Sequence, residues 1–163
     1  MALNEINFAL GPKDMLEMIA KRHAERNFLF YRSVSKHDEY LLVDVSGQKS
    51  VFESGLNYRV LTEIEDTNWD GLLELRYLTL DTDQQKVFSA VIDSWKNKAV
   101  RPLGLMSAKV LISLKKDFQF VLLNDWENEE DQLAWSHASN NQIAQFGHDG
   151  NKAAIVRLYE RVR

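Results

Sequence analysis

The fold is decided by a strand that runs straight into a helix, in the sequence FVLLNDWENEEDQLAW of residues 120–135. Apolar side chains alternate over residues 118–126, so this segment is predicted to be a strand with apolar groups on both faces. Residues 128–138 begin with an acidic run, which favours a helix N-terminus, and go on to carry Trp135. The stretch therefore predicts a strand, a sharp acidic turn and a helix.

The segments on either side complete a six-element unit. Asp81 is a good N-cap for a helix, and Arg101 followed by Pro102 is predicted to end it, because the residue before proline avoids the α region. The strands predicted in this half of the chain cover residues 72–80, 103–114, 118–126 and 153–162, and a short helical piece covers residues 140–146. The order is βαββαβ, which predicts a ferredoxin-like unit of the α+β class with an antiparallel sheet.

The first 65 residues look like a shortened copy of the same unit. Its strands are predicted over residues 4–10, 27–33, 39–45 and 56–64. Pro12 opens a helix, whereas a second helix is reduced to a loop over residues 52–55. We expect a degenerate ferredoxin-like half in residues 1–65 and a ferredoxin-like domain in residues 71–163, together forming an α+β barrel. The alternative is an unrelated α+β extension that caps the sheet.

Composition excludes several classes of function. The chain has 163 residues, a formal net charge of -4 and scattered basic residues, which disfavours general nucleic-acid binding. It contains no cysteine, so disulfides, thiolate metal sites and cysteine nucleophiles are excluded. The sequence shows neither a signal-peptide pattern nor an apolar stretch of membrane-spanning length, so we expect no membrane association and a cytoplasmic location. It also lacks the motifs of serine hydrolases, phosphate-binding loops and zinc proteases.

The stretch from Phe120 to Trp135 resembles the strand–Trp–acidic-turn–helix segment of antibiotic biosynthesis monooxygenase domains. The nine-residue step from Trp126 to Trp135 is similar to that of the staphylococcal-type haem-degrading monooxygenases, which use the helical tryptophan to bend the porphyrin. The layout in two halves is similar to the haem monooxygenases of bacilli and to the TRAP-type staphylococcal regulators. The resemblance implies the dimeric α+β barrel fold and a site for haem or another flat aromatic ligand.

The resemblance also implies which residues form that site. The haem-degrading enzymes carry an asparagine on the first strand, the helical tryptophan, and an iron-binding histidine further along. Trp135 stands in the place of the tryptophan, Gln145 in that of the histidine and Arg76 in that of the asparagine. Because glutamine is a poor iron ligand, His148 is the residue that a shifted loop would bring to the iron of a bound haem. We therefore expect these four residues to border one pocket between a helix and the barrel interior.

Each of these residues also has an interpretation without a ligand. For Trp135 it is ordinary core packing between a helix and the sheet. Arg76, expected to face the barrel interior, either anchors an anionic ligand group such as a propionate or forms an ion pair with Glu74. For His148 the interpretation without a ligand is an exposed position in a loop.

Three functions remain open on this sequence. The first is a monooxygenase of the haem-degrading type, with haem as its cofactor. The second is a cofactor-free monooxygenase acting on an aromatic small molecule, and the third is a non-catalytic binding or stress-regulatory protein. The expected partner is a small aromatic or tetrapyrrole ligand, with no catalytic residue assigned. Internal pairing of the two halves predicts a monomer with an internal pseudo-dimer, and a homodimer is the alternative.

Overall fold

The computed structural model describes residues 4–53 and 56–163 of the chain. Within these residues there are eight strands, three α-helices and one short 3-10 helix. The strands are β1 (Glu5–Gly11), β2 (Phe28–Ser33), β3 (Tyr40–Asp44), β4 (Leu56–Ile64), β5 (Leu72–Thr79), β6 (Leu105–Ser113), β7 (Gln119–Trp126) and β8 (Ile155–Arg161). The helices are α1 (Lys13–Arg22), α2 (Thr82–Ser94), α3 (Glu129–Ser136) and the 3-10 helix (Gln142–Gln145). In this described part, no helix is long and apolar enough to cross a bilayer.

The strands close into one barrel in the order β1-β3-β2-β8-β5-β7-β6-β4, and neighbouring strands pair antiparallel. Strands β5 to β8 lie in the order 4-1-3-2 of a ferredoxin-like unit, and β1 to β4 repeat that order. The two halves join where β2 pairs with β8 and where β4 pairs with β6. The predicted α+β barrel of two ferredoxin-like halves is confirmed, and the alternative of an unrelated capping extension is wrong. The division into residues 1–65 and 71–163 stays a prediction, because both halves share one barrel.

Successive side chains of β5 point alternately into two apolar layers, one inside the barrel and one outside it. Leu73 and Leu75 point into the barrel, where they join a cluster of side chains from both halves. Leu78 points the other way and joins a second cluster that packs beneath α2. Glu74 and Arg76 share the face of Leu78, because successive side chains of a strand alternate, and both contact groups on α3. The expectation that Arg76 faces the barrel interior is therefore wrong.

Helix α2 is shorter than the sequence predicts. Asp81 caps it as expected, since its side chain accepts a hydrogen bond from the backbone N–H of Gln84 at 2.8 Å. The helix ends at Ser94 and not at Arg101, because a series of tight turns follows its last residue. The Nε of Arg101 donates to the Trp95 carbonyl at 2.9 Å. This side chain thus satisfies one of the carbonyls that a helix C-terminus leaves without a partner.

Smaller differences lie at the ends of other elements. Phe118 belongs to the turn between β6 and β7, because its φ of 64° lies in the left-handed region and interrupts the extended backbone. The helical piece predicted over residues 140–146 is the shorter 3-10 helix. Residues 51–53 are irregular, in agreement with the loop predicted there. The rest of that loop falls on residues 54 and 55, which lie outside the described residues.

Candidate functional site

A buried carboxylate lies between the C-terminal half of the barrel and its helices. Glu74 on β5 is 0% exposed, and five N–H groups donate to it. The donors are Arg76 Nη2 (2.8 Å) and Nε (3.2 Å), Trp126 Nε1 (2.8 Å), Asn124 Nδ2 (3.0 Å) and Gln132 Nε2 (3.3 Å). A buried charge is stable only when it is paired and hydrogen-bonded. The network therefore explains how an apolar strand accommodates Glu74.

Arg76 connects this network to Trp135. The guanidinium pairs with Glu74 and is nearly buried, and its central carbon lies 4.9 Å from the centroid of the Trp135 ring. A guanidinium in this position attracts the electron-rich ring face. The structure thus contains the ion pair considered for Arg76. Arg76 is not among the side chains that line the groove beside Trp135, so within the described residues it contacts that groove only through the indole.

Trp135 is half-buried and is held by other aromatic rings. Its ring centroid lies 5.4 Å from that of Trp126 and 6.0 Å from that of Trp95, the second pair meeting edge to face at 77°. Helix α3 carries Trp135 in its last turn, and the Asn128 side chain caps the other end by accepting a backbone hydrogen bond at 2.8 Å. The Asn141 side chain donates to the Trp135 carbonyl at 3.2 Å. The indole is therefore a fixed wall and not a mobile surface group.

An open groove, which we call the α2–α3 groove, runs beside Trp135. It encloses about 920 Å³ between α2, α3 and the loops that follow them. Its larger apolar lining residues are Val87, Val91, Trp95, Val100, Leu103, Trp135 and Ile143. The charged lining residues are Arg101, in the turns that follow α2, and Asp131, in the first turn of α3. The groove therefore combines a rigid tryptophan wall and apolar side chains with polar residues along its lining.

Gln145 and His148 lie together, but away from Trp135. Both line a separate cavity of about 420 Å³, next to Thr79 and Asp81 at the end of β5. The Gln145 amide donates to the Gln142 carbonyl at 2.7 Å, and His148 Nδ1 lies 3.5 Å from the Asp149 carboxylate. The structure therefore pairs Arg76 with Trp135 and Gln145 with His148, and it does not bring the four into one pocket.

The α2–α3 groove does not fit a haem whose iron is ligated by the protein. Its lining within the described residues contains no histidine, cysteine, tyrosine or methionine, which are the side chains that hold haem iron. In residues 4–53 and 56–163 there is also no group of three or more His, Asp or Glu side chains close enough to hold a metal ion. His148, the predicted iron ligand, lines the cavity that it shares with Gln145 and does not line the α2–α3 groove.

Sequence reasoning did not find several of the residues that shape this site. Trp95, Asn124 and Gln132 are not among the residues that the sequence predicts for the site. The sequence carries one signal for the polar residues of this site. A polar residue that occupies an apolar position of a strand or short helix is rarely buried unless it has a hydrogen-bond partner. What the sequence lacked was the identity of that partner, Glu74, which lies 50 residues from Asn124 and 58 from Gln132.

Comparison with known proteins identifies the fold. No protein-family model matches this sequence, and no curated protein matches it. A ferredoxin-fold protein from Listeria monocytogenes related to antibiotic biosynthesis monooxygenases has a TM-score of 0.80 at 16% identity, covering 100% of this chain and 96% of that chain. A haem-degrading enzyme from Listeria monocytogenes has a TM-score of 0.71 at 16% identity, covering 96% and 98%. A major regulator of staphylococcal pathogenesis has a TM-score of 0.73 at 11% identity, covering 98% and 99%.

These similarities extend over nearly the whole of each chain. The predicted resemblance to the antibiotic biosynthesis monooxygenase superfamily is therefore confirmed at the level of the fold. The fold is shared by proteins of different roles, so function has to be argued from the site.

Proposed function

We propose that this chain is a monooxygenase-like protein that binds a flat aromatic small molecule in the α2–α3 groove. The observation that carries the proposal is the position of Trp135, half-buried and lining a groove of about 920 Å³. The nearby Trp95 ring and the Arg76 guanidinium hold the indole in place. A fixed ring can stack on a flat ligand without first losing conformational freedom, which favours binding.

The lining of the groove supports a reaction without bound iron. A methylene group between two aromatic rings can supply all four electrons that dioxygen accepts. One oxygen atom then becomes the new carbonyl and the other leaves as water, so the CH₂ group and O₂ give C=O and H₂O. Such a substrate needs no flavin, haem or external reductant. An electron-rich polycyclic aromatic compound with one acidic CH₂ position is the substrate class that combines this chemistry with the shape of the groove.

Haem is the second candidate ligand, and two observations favour it. The fold is that of a haem-degrading enzyme from Listeria monocytogenes. His148 also shares a cavity with Gln145, the position at which the haem-degrading enzymes carry their iron ligand. A haem bound there would be held by His148 and would lie away from Trp135.

Binding to Trp135→Ala and Trp135→Phe variants tests the main proposal. The probe is anthrone, a flat tricyclic ketone with one CH₂ group, followed by protein fluorescence and by formation of anthraquinone under air. We expect Trp135→Ala to weaken binding about tenfold or more, because the stacking wall is lost. Trp135→Phe should keep affinity within about threefold, since it retains a flat ring. Thermal unfolding of both variants separates lost binding from lost stability.

The same titration with haemin distinguishes the other functions. Haemin binding with an imidazole-type spectrum that His148→Ala removes would replace the proposal with the haem candidate. Anthrone binding that depends on Trp135 without any anthraquinone above the spontaneous rate would show a binding protein and not an enzyme. Equal affinity of wild type and Trp135→Ala for anthrone would contradict the groove as the binding site.

A further inference from the structure

A third cavity opens at one end of the barrel, away from the α2–α3 groove. It encloses about 580 Å³ where β5 and β6 end and where β4 and β8 begin. We call it the barrel-mouth cavity. Its floor contains the rings of Tyr58, Tyr77 and Tyr159, which belong to the apolar cluster inside the barrel. A volume of this size falls in the range of small-molecule sites, roughly 300–1,000 Å³.

The tyrosine hydroxyls of this floor are available to a ligand in the cavity. Tyr31, a fourth interior tyrosine, donates its hydroxyl hydrogen to the Trp69 carbonyl at 2.9 Å. Within the described part of the chain, Tyr58, Tyr77 and Tyr159 make no such bond, although Tyr159 is only 1% exposed. None of the three hydroxyls is among the described buried polar atoms that lack a partner, so they open onto the cavity that their rings line. A ligand in that cavity can therefore receive hydrogen bonds from them.

The three hydroxyls act as donors at neutral pH. Burial raises the pKa of Tyr58 and of Tyr159 to about 12, and burial also raises the pKa of Tyr77, with the neighbouring tyrosines adding to it. A protonated phenol offers one O–H donor, and it binds best to an acceptor that carries negative charge. The floor therefore favours a ligand with an anionic oxygen.

The rim of the cavity is positively charged. Lys36, Lys115, Lys116 and Arg157 line it, against one carboxylate, that of Glu39. Among the described residues, none of the four rim cations has a carboxylate within ion-pair distance. Lys109, which lies elsewhere on β6, does form an ion pair, with a nitrogen–oxygen distance of 3.1 Å. This excess of cations stands out in a chain whose net charge is -4. Cations that surround a concave opening attract anions into it.

Arg157 joins the rim to the floor. It lies two residues before Tyr159 on β8, so both side chains point to the same face of the strand. It is half-buried, and its Nη1 donates to the Val156 carbonyl at 3.1 Å, which leaves four further N–H donors on the guanidinium. A ligand whose apolar body rests on the tyrosine rings would place its acid group beside this side chain.

We propose that the barrel-mouth cavity is a binding site for a small organic anion with an apolar body, such as an aryl carboxylate or aryl sulfonate. The rings of the floor take the apolar body, while the phenol hydroxyls and Arg157 take the acid group. The site is separate from the α2–α3 groove and needs neither iron nor turnover. A ligand bound here bridges the two halves of the barrel, because Tyr58 belongs to one half and Tyr77 and Tyr159 to the other.

Two fluorescent probes that differ by one sulfonate group test the proposal on the full chain. Anilinonaphthalene sulfonate carries the anion, and phenylnaphthylamine has the same aromatic body without it. We expect the sulfonate to bind at least about tenfold more tightly, because a charge-assisted hydrogen bond to Arg157 is available only to it. Its affinity should fall as salt is added, as the rim cations are screened.

Matched variants locate the binding. Arg157→Gln should weaken sulfonate binding about tenfold, and the double variant Lys115→Gln with Lys116→Gln about threefold, since exposed charges contribute less. The control double variant Lys86→Gln with Lys98→Gln changes the net charge equally, and its lysines line none of the described cavities, so it should bind as wild type. Trp135→Ala should also leave sulfonate binding unchanged, because Trp135 lines the α2–α3 groove and does not line the barrel-mouth cavity.

Three outcomes overturn the proposal. Equal binding of the two probes would mean that the cavity does not recognise an anion. Loss of sulfonate binding in Trp135→Ala would place the probe in the α2–α3 groove. Wild-type affinity in Arg157→Gln would remove the contact on which recognition of the acid group depends. Thermal unfolding of each variant shows whether it is folded. Lys115 and Lys116 are exposed, so sulfonate binding by their double variant can be compared with wild type without disturbing the packed core.

Discussion

At the scale of single residues, two buried carboxylates of the C-terminal half differ in how they are satisfied. Glu74 receives five hydrogen bonds, one of its donors being the charged guanidinium of Arg76. Asp125 on β7 is 1% exposed, and among the described residues no cation lies within ion-pair distance of it; Lys109 pairs with Glu63 instead. Burial raises the pKa of Asp125 to about 6, the Asp70 charge adds to this, and the Lys109 ammonium and nearby backbone N–H groups oppose it. Wild type and a variant without the Asp125 carboxylate should therefore differ in how their stability depends on pH.

Asp125→Asn tests this difference in a pH series. A folded-state pKa of about 6 against an ordinary value of 3.8 means that the native protein binds the proton more tightly than the unfolded chain. The free energy of unfolding should therefore fall as pH rises from about 4 to 6 and stay lower above that, by up to about 3 kcal/mol. Asp125→Asn removes this loss, so it should be more stable than wild type at neutral pH and similar to it near pH 4.

Chemical denaturation at several pH values measures the effect. Asp117→Asn, in the exposed turn between β6 and β7, is the matched control and should follow wild type throughout. A constant difference between Asp125→Asn and wild type from pH 4 to pH 8 would show that the carboxylate does not titrate as described.

At the scale of secondary-structure elements, the two halves of the barrel differ in the helices that cover them. In the C-terminal half, α3 lies between β7 and β8 and carries Trp135. In the N-terminal half, the described residues between β3 and β4 form no helix. The loss of that element explains why the α2–α3 groove occurs in one half only, since a groove between two helices needs both. It also marks the N-terminal half as the degenerate copy.

The turn between β6 and β7 gives a test of local backbone strain. Phe118 adopts a φ of 64° and is 49% exposed, so a bulky side chain sits in a region of backbone space that favours glycine. Phe118→Ala removes the ring but keeps the unfavourable Cβ, whereas Phe118→Gly removes both. We expect Phe118→Gly to be more stable than Phe118→Ala by about 1 kcal/mol, measured by thermal unfolding. Equal stability of the two variants, or a more stable alanine variant, would show that the turn relaxes to another conformation.

At the scale of the whole molecule, the chain completes by itself a barrel that a single ferredoxin-like unit cannot close. The seams between the halves are ordinary antiparallel pairings, for example between Arg32 and Glu160, whose side chains also form an ion pair. The inner faces of both sheets meet in one apolar cluster. No strand edge of the described barrel is left over to pair with a second chain.

We therefore expect the full chain to sediment as a monomer at micromolar concentration. The fragment of residues 71–163 is the informative comparison, because it exposes the inner face of its sheet and the edges of β6 and β8. It should self-associate, since burying that face needs a second sheet. A stable dimer of the full chain would contradict the expectation and favour the homodimer that the sequence left open.

The sequence by itself determined the elements and their order. The alternation along β5 to β8, the Asp81 cap and the acidic start of α3 are local signals, and the βαββαβ order follows from them. It also identified Trp135 as a residue of interest and Glu74 as one partner considered for Arg76. These predictions depend only on neighbours in the chain, because the period of a strand or helix and the chemistry of a cap act over a few residues.

The tertiary structure alone decided which side chains meet. It turned Arg76 toward α3, separated Trp135 from Gln145 and His148, and gathered three tyrosines from different strands into the barrel-mouth cavity. It also ended α2 at Ser94, where tight turns follow and the Arg101 side chain donates to the Trp95 carbonyl. The physical reason is that closure of a barrel sets distances between residues far apart in the chain, and no local pattern carries that information.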